Sequence, residues 1–158
     1  MEIRLHQGPR EALQPLFAEA DDSEDQIASY RDLGEVLVAV EEGRIIGHAL
    51  VVETDEEGIF EIKSLAVRED RRSRGIGARL ITAACDYCRA RGGRSVVLAT
   101  AAASILALKF YQRLGFRIQR IIRDFYSAER GYVPLELDGI VLRDEVILDL
   151  DLTQPATA

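Results

Sequence analysis

Residues 71–80 read RRSRGIGARL, four arginines and two glycines within a chain whose formal net charge is −7. The stretch joins two unlike patterns. Upstream, IFEIKSLAV (59–67) carries the branched and aromatic residues of a strand. Downstream, ARLITAACDYCRARGG (78–93) puts Leu80, Ile81, Ala84 and Cys88 on one helical stripe, and Gly92 and Gly93 end it. The glycines at 75 and 77 therefore stand where a strand turns into a helix. The first turn of a helix leaves N–H groups without partners, and with the helix dipole they form an anion site. Glycine has no Cβ, so a bulky anion can approach the backbone there. Arg71, Arg72, Arg74 and Arg79 add charge, and the guanidinium fork suits phosphate oxygens. The expected ligand carries a phosphate or diphosphate.

Two common phosphate motifs do not fit. A P-loop requires a lysine after its second glycine, and this stretch has none. A dinucleotide fingerprint requires a third glycine where Leu80 stands, after a βαβ start rather than hairpins.

The flanking sequence reads β, α, α, β, β, β, α, β, α, β, β. MEIRL alternates as a first strand, and PREALQPLFAEA and SEDQIASYRDL read as short helices, the second capped by Asp22 or Ser23. EVLVAVEE and RIIGHALVVET form a hairpin. In IFEIKSLAV, strict alternation places Ile59, Glu61, Lys63 and Leu65 on one face, and Phe60, Ile62 and Ser64 on the other, unless a bulge intervenes. SVVLAT is a buried strand. SILALKFYQRLGF is a helix that Ser104 caps and Gly115 ends. RIQRIIRDF and VLRDEVILDLDL are the last strands, joined through a loop containing ERGYVPLELDG. Early hairpins and late βαβ units predict an α/β chain with a mixed sheet and helices on its faces. The 158 residues suit one domain over 1–152, with 153–158 a loose tail.

Composition narrows the function. An acidic chain is a poor general binder of nucleic acid. No apolar run approaches the ~20 residues of a membrane span, and the N-terminus lacks the apolar core of a signal peptide. The reading is a soluble, cytoplasmic protein with no membrane or nucleic-acid partner. Cys85 and Cys88, i and i+3 inside a helix, read as buried small hydrophobes rather than a redox pair or metal site, and no metal is expected. His48, within IIGHALVV, reads as a structural or edge histidine.

Two segments carry a family resemblance. Arg72-Ser73-Arg74-Gly75-Ile76-Gly77 fits the pattern Arg/Gln-x-x-Gly-x-Gly/Ala of the GNAT superfamily of N-acetyltransferases, within SLAVREDRRSRGIGARLI, which looks like that family's central motif. SILALKFYQRLGF is similar to the family's Asn-x-x-Ala-x-x-Phe/Leu-Tyr-x-x-x-Gly-Phe. The resemblance covers about residues 36–123. It implies a central mixed, mostly antiparallel sheet of about seven strands flanked by about four helices. It implies acetyl-CoA as acyl donor, its pantetheine in a cleft between the fourth and fifth strands. By position, Leu65, Ala66 and Val67 would meet the pantetheine and thioester through main-chain groups, while Arg72, Ser73, Arg74, Gly75, Ile76, Gly77 and Ala78 would hold the diphosphate. Ser104 and Ala107 fall on the second motif's cofactor positions, although Ser104 is shorter than the family's usual asparagine. A homodimer is a further family-level implication.

Acyl transfer to an amine requires a neutral nucleophile, a stabilised carbonyl oxygen and a leaving sulfur. A lysine-like amine has a reference pKa near 10.4, so deprotonation at pH 7 costs about 4.6 kcal/mol. Glu61 matches the general-base glutamate of the histone-acetylating branch; the alternative is a solvated strand carboxylate. A main-chain N–H at Val67 or its neighbour would serve the oxyanion. Tyr111 matches the tyrosine placed at the sulfur. A phenol near 10 is a weaker acid than a thiol near 8.5, so a hydrogen bond to the thiolate describes its role better than full proton transfer. The acceptor, a small-molecule or protein amine, would lie between the N-terminal helices and the loop before the last strand, near Tyr30, Tyr126, Arg130 and Tyr132. The competing reading is a non-catalytic acyl-CoA-binding module.

Overall fold

The computed structural model describes residues 1–155. Seven strands form one sheet. In order across it they are β1 (Glu2–Leu5), β2 (Glu35–Glu41), β3 (Arg44–Glu53), β4 (Ile59–Val67), β5 (Ser95–Ala101), β9 (Glu145–Asp151) and β6 (Arg117–Ile122). β4 pairs with β5 in parallel, and every other neighbouring pair is antiparallel. The sheet is thus mixed and mostly antiparallel, as the resemblance implied. Helices α1 (Gln14–Ala20) and α2 (Glu24–Tyr30) lie on one side, and α3 (Ile76–Arg89) on the other; α4 (Ile105–Arg113) follows β5.

Local chemistry sets several of these boundaries. Ser23 caps α2 by accepting from Gln26 N at 3.2 Å. The first expected helix is shorter than its sequence suggested: Arg10–Leu13 is a 3-10 turn, and the α-helix starts at Gln14 with a proline in its first turn, where a missing N–H is harmless. Ser104 occupies the N-cap of α4 but its side chain makes no capping bond, contrary to expectation. The loop before the last strand folds a small ribbon, β7 (Glu136–Leu137) and β8 (Ile140–Val141), too short for sequence periodicity to reveal. Of the expected tail, 156–158 lie outside the described residues, while Thr153 bonds back to Asp151.

Two cores sandwich the sheet. Leu80, Ile81, Ala84 and Cys88 of α3 are buried against one face, the stripe the sequence predicted. Cys85 and Cys88 belong to this core, and burial pushes their thiols up to about 11 and about 12; such thiols are inert at neutral pH. On the other face Leu13, Phe17, Ile27 and Tyr30 cover Val36, Val38 and Leu50.

A bulge in β4 decides which residues meet which core. Leu50 of β3 pairs with Ser64, but Val51 pairs with Ile62, so Lys63 is the extra residue. Strict alternation fails at that point. Ile62 packs into the α3-side core with Val51, whereas Ser64 and Ala66 face the α1/α2 side with Leu50 and His48. Glu61, opposite in pleat to Ile62, consequently faces the α1/α2 side, and Leu65 and Val67 face the α3 side. Glu61 and Leu65 do not share a face as simple alternation would have them.

His48 is fully buried, its Nε2 2.8 Å from Ser64 Oγ and its ring 4.6 Å from Phe17. It is structural, in the middle of the sheet rather than at an edge. Burial depresses its pKa to about 3, so the folded state holds it neutral. The unfolded chain protonates first, near pH 6.5, and stability is lost as pH falls from there towards 3. His48→Gln is expected to flatten that slope: in urea melts at pH 7 and pH 4, the variant should lose less stability on acidification than the wild-type chain.

Candidate functional site

β4 and β5 touch over three rungs only, Ile59–Ser95, Phe60–Val96 and Glu61–Val97. Beyond Glu61 and Val97 they diverge. The β4 main chain from Ile62 onward has no ladder partner on that edge, and the gap is a ready place for a ligand that needs backbone donors and acceptors. A cavity of about 440 Å³ opens in the split. Leu65 of β4, Thr100 and Ala101 of β5, Ser104 at the N-cap of α4, and Ala107 and Tyr111 of α4 line it, together with Glu61. Five of the sequence-predicted site residues therefore meet in one space: Glu61, Leu65, Ser104, Ala107 and Tyr111. Ala66 is buried against the opposite core, so only its main chain can serve the cleft. Val67 and residues 72–78 lie outside this cavity, towards the start of α3.

That helix start has the form expected of an anion site. Gly75 is its N-cap, with φ +77°, and no side chain caps the helix. An added Cβ at Gly75 would meet nothing within 4 Å; the glycine is required by its left-handed backbone, and the space in front of it is open. Ser73 also adopts φ +60°, so the loop crosses the left-handed region twice before the helix begins. Gly77 serves a different purpose: a Cβ there would lie 3.3 Å from Phe110 Cζ, so the glycine lets α3 approach α4. The first-turn N–H groups of α3 thus open near the α4 end of the cleft.

The arginines are less free than their number implied. Arg71 and Arg74 each reach Glu41, at the end of β2, at 3.0 Å. Arg74, then Arg71, hold that carboxyl below its usual range. Arg72 bonds Glu19 of α1 at 2.7 Å and the carbonyl of Val67 at 3.0 Å. Three of the four guanidiniums tie the loop to β2, α1 and β4, which leaves the backbone as the main anion donor. Arg79 is exposed on the first turn of α3.

Tyr111 packs edge-on against Phe110 and Phe116, and burial pushes its hydroxyl up to about 12. A phenol so weakly acidic suits hydrogen-bond donation rather than proton release.

The other side of the cavity, towards α1 and α2, is acidic and aromatic. Asp21 accepts from Tyr132 Oη at 2.8 Å, Tyr30 Oη at 3.2 Å and Ser23 N at 3.0 Å. Tyr126 stands 4.9 Å from Tyr132, ring to ring, and lines the cavity with Tyr30 and Tyr132. Arg130, also expected here, stacks instead on Phe125 at 4.3 Å. Asp22 is raised by burial and by Asp21. Glu61 lies 3.6 Å from Lys63. A second, wider hollow of about 760 Å³ adjoins this side and shares Tyr30, Glu61 and Lys63 with it.

Sequence reasoning missed Glu145. It starts β9, opposite Ala101 of β5 and Ile122 of β6, and only 7% of it is exposed. Its neighbour Val146 packs into the α3-side core, so the pleat turns Glu145 the other way, into the cavity. Burial raises it to about 7, with Glu61 and Asp21 adding to the rise and Lys63 and Arg130 opposing it. The strand's alternation could have placed Glu145 on the polar face, but the cavity it shares with Tyr126, Tyr132 and Leu142 is assembled by long-range folding. A carboxyl raised in the folded state favours folding at low pH, and that advantage fades as pH climbs from its unfolded value through about 7. Glu145→Gln should therefore raise the melting temperature at pH 8, and the gain should shrink towards pH 5.

Comparison with known proteins agrees with this geometry. The profile of the acetyltransferase (GNAT) family matches residues 4–116. The uncharacterized N-acetyltransferase YvbK of Bacillus subtilis is 32% identical over 152 residues, spanning 96% of this chain and 97% of the relative. Among solved structures, a GNAT family acetyltransferase from Elizabethkingia anophelis with acetyl-CoA bound superposes with a TM-score of 0.88 at 29% identity, covering 95% of this chain and 97% of that one. A Bacillus subtilis acetyltransferase in complex with CoA gives 0.85 at 31% identity, covering 94% and 97%. No helix among the described residues is long and apolar enough to cross a membrane. With its matching profile, near-full-length relatives and split sheet, the chain belongs to the acetyltransferase (GNAT) family.

Proposed function

We propose that this protein transfers an acetyl group from acetyl-CoA to a primary amine. The observation that carries the reading is the split between β4 and β5, in which an unpaired strand edge, Tyr111 and carboxylates share one cavity. Relatives with CoA and acetyl-CoA bound support the choice of donor. This chain's residues also fit it. The uncapped start of α3, with open space at Gly75, suits a diphosphate, and the cleft lined by Leu65, Ser104 and Ala107 suits an extended pantetheine chain. When bound, acetyl-CoA supplies the thioester carbonyl and the leaving thiolate.

The roles then follow from position. N–H groups of Gly75, Ile76, Gly77 and Ala78 hold the diphosphate, and the side chains of Arg72, Ser73 and Arg74 shape the loop. Main-chain groups of Leu65, Ala66 and Val67 on the free edge of β4 align the thioester, and an N–H at Val67 or its neighbour donates to the carbonyl oxygen as it gains charge. Tyr111 donates a hydrogen bond to the departing sulfur. Two carboxylates, Glu61 and Glu145, face the acceptor side and are the available proton acceptors. A homodimer has one feature in its favour: the edge strand β6 leaves Ile118 and Ile121 more than half exposed.

The experiment is to supply acetyl-CoA with a panel of amines and follow free thiol. Tyr111→Phe removes one hydrogen bond to a charged group, about 1.5–3 kcal/mol. The turnover number should fall about tenfold to a hundredfold while the KM for acetyl-CoA stays nearly constant. Unchanged turnover would remove Tyr111 from the mechanism.

A further inference from the structure

Glu145 is the one buried carboxylate among the described residues. Among the other acids of the cleft, Asp21 is held by two tyrosine hydroxyls and an N–H, Glu61 by Lys63 and Glu19 by Arg72, while Asp22 has no such partner among the described residues but is exposed. Glu145 has neither a hydrogen bond nor an ion pair with any described residue, and only burial and distant charges act on it. Its backbone sits in the sheet between β5 and β6, and its pleat aims the side chain into the cavity, where an incoming group can reach it. A carboxylate largely withdrawn from water and without a partner is costly to keep charged. The cavity around it is rich in carboxylates, with Lys63 the one cationic side chain on its wall. The missing partner has the chemistry of a cation that arrives and leaves.

We propose that Glu145 docks the ammonium group of the acceptor at the throat of the cleft and takes its proton, which makes the acceptor a primary alkylammonium. This rests on the acetyl-transfer reading above. The ammonium nitrogen gives one proton to the Glu145 carboxylate, and its freed lone pair forms the N–C bond to the thioester carbonyl carbon. The C–S bond breaks with its electron pair on sulfur. The nitrogen's second proton leaves with the sulfur as free thiol, and Glu145 returns its own proton to solvent. A base works best when its pKa lies near the working pH, and Glu145, raised to about 7, meets that condition. Its setting includes Lys63 and Glu61 of β4, Arg130, Tyr126 and Tyr132 of the loop, and Asp21 and Asp22 after α1. Glu61, held by Lys63, then shapes the field around Glu145.

The test uses the full chain with acetyl-CoA and an alkylamine, following thiol release against pH. The wild-type kcat/KM should rise with pH through about 7 and then level off. Without such a base it would keep climbing towards the amine's own pKa. Glu145→Gln should lower kcat/KM about 100-fold or more at pH 7 and abolish the plateau, leaving the KM for acetyl-CoA unchanged. An acyl hydrazide, already neutral at pH 7, should react with Glu145→Gln at close to the wild-type rate. A purely structural role would slow both acceptors alike. A near-wild-type rate and plateau in Glu145→Gln, or loss of the plateau in Glu61→Gln instead, would overturn the proposal while leaving the transferase reading intact. A wild-type chain that releases no thiol with any amine would overturn both.

Discussion

The parting of β4 from β5 is the constraint on which the rest depends. Two parallel neighbours that stayed in register would satisfy one another's backbone and bury the space between them. Here the ladder stops after Glu61 and Val97. The free edge of β4 becomes a row of donors and acceptors, and a cavity opens through the layer. The bulge at Lys63 adds a second device. By reversing the pleat it turns Leu65 and Val67 towards α3, where the acyl donor would lie, and Glu61 towards α1 and α2, where the acceptor would enter. One strand thus presents side chains to both faces of the sheet, and on the proposed function it would serve both substrates.

The charge distribution follows the same division. On the donor side, arginines spend their charge on Glu41 and Glu19, fixing the loop that bends through Ser73 and Gly75 into α3. On the proposed function, backbone N–H groups would do the electrostatic work there, and they need no reorganisation when an anion arrives. On the acceptor side, Asp21 gathers tyrosine hydroxyls and Glu145 stays unpaired. On the proposed function, an anion-seeking end and a cation-seeking end would be kept apart by the sheet.

Much of this was legible in the sequence because it rests on local rules. Strand, glycine turn and amphipathic helix around residues 59–93 read correctly, and β4 matched its expected limits of Ile59 and Val67. The cysteine pair and His48 fell where hydrophobic context placed them. What was not legible depends on distant contacts. Alternation in IFEIKSLAV left room for a bulge but could not say whether or where one falls, which only pairing with β3 reveals. The glutamates that hold Arg71, Arg72 and Arg74, Glu41 and Glu19, lie 30 or more residues away. Glu145 looks like an ordinary strand carboxylate until the fold sets it in a cavity with Tyr126, Tyr132 and Leu142. The ribbon of β7 and β8 is too short to carry a periodic signal.

The most direct test of the central claim follows backbone amides by NMR as coenzyme A is added. The account predicts that Gly75, Ile76, Gly77 and Ala78 shift together on binding, along with main-chain amides of Leu65 to Val67 on the free edge of β4. Shifts confined to other parts of the chain, or none at saturating coenzyme, would contradict it.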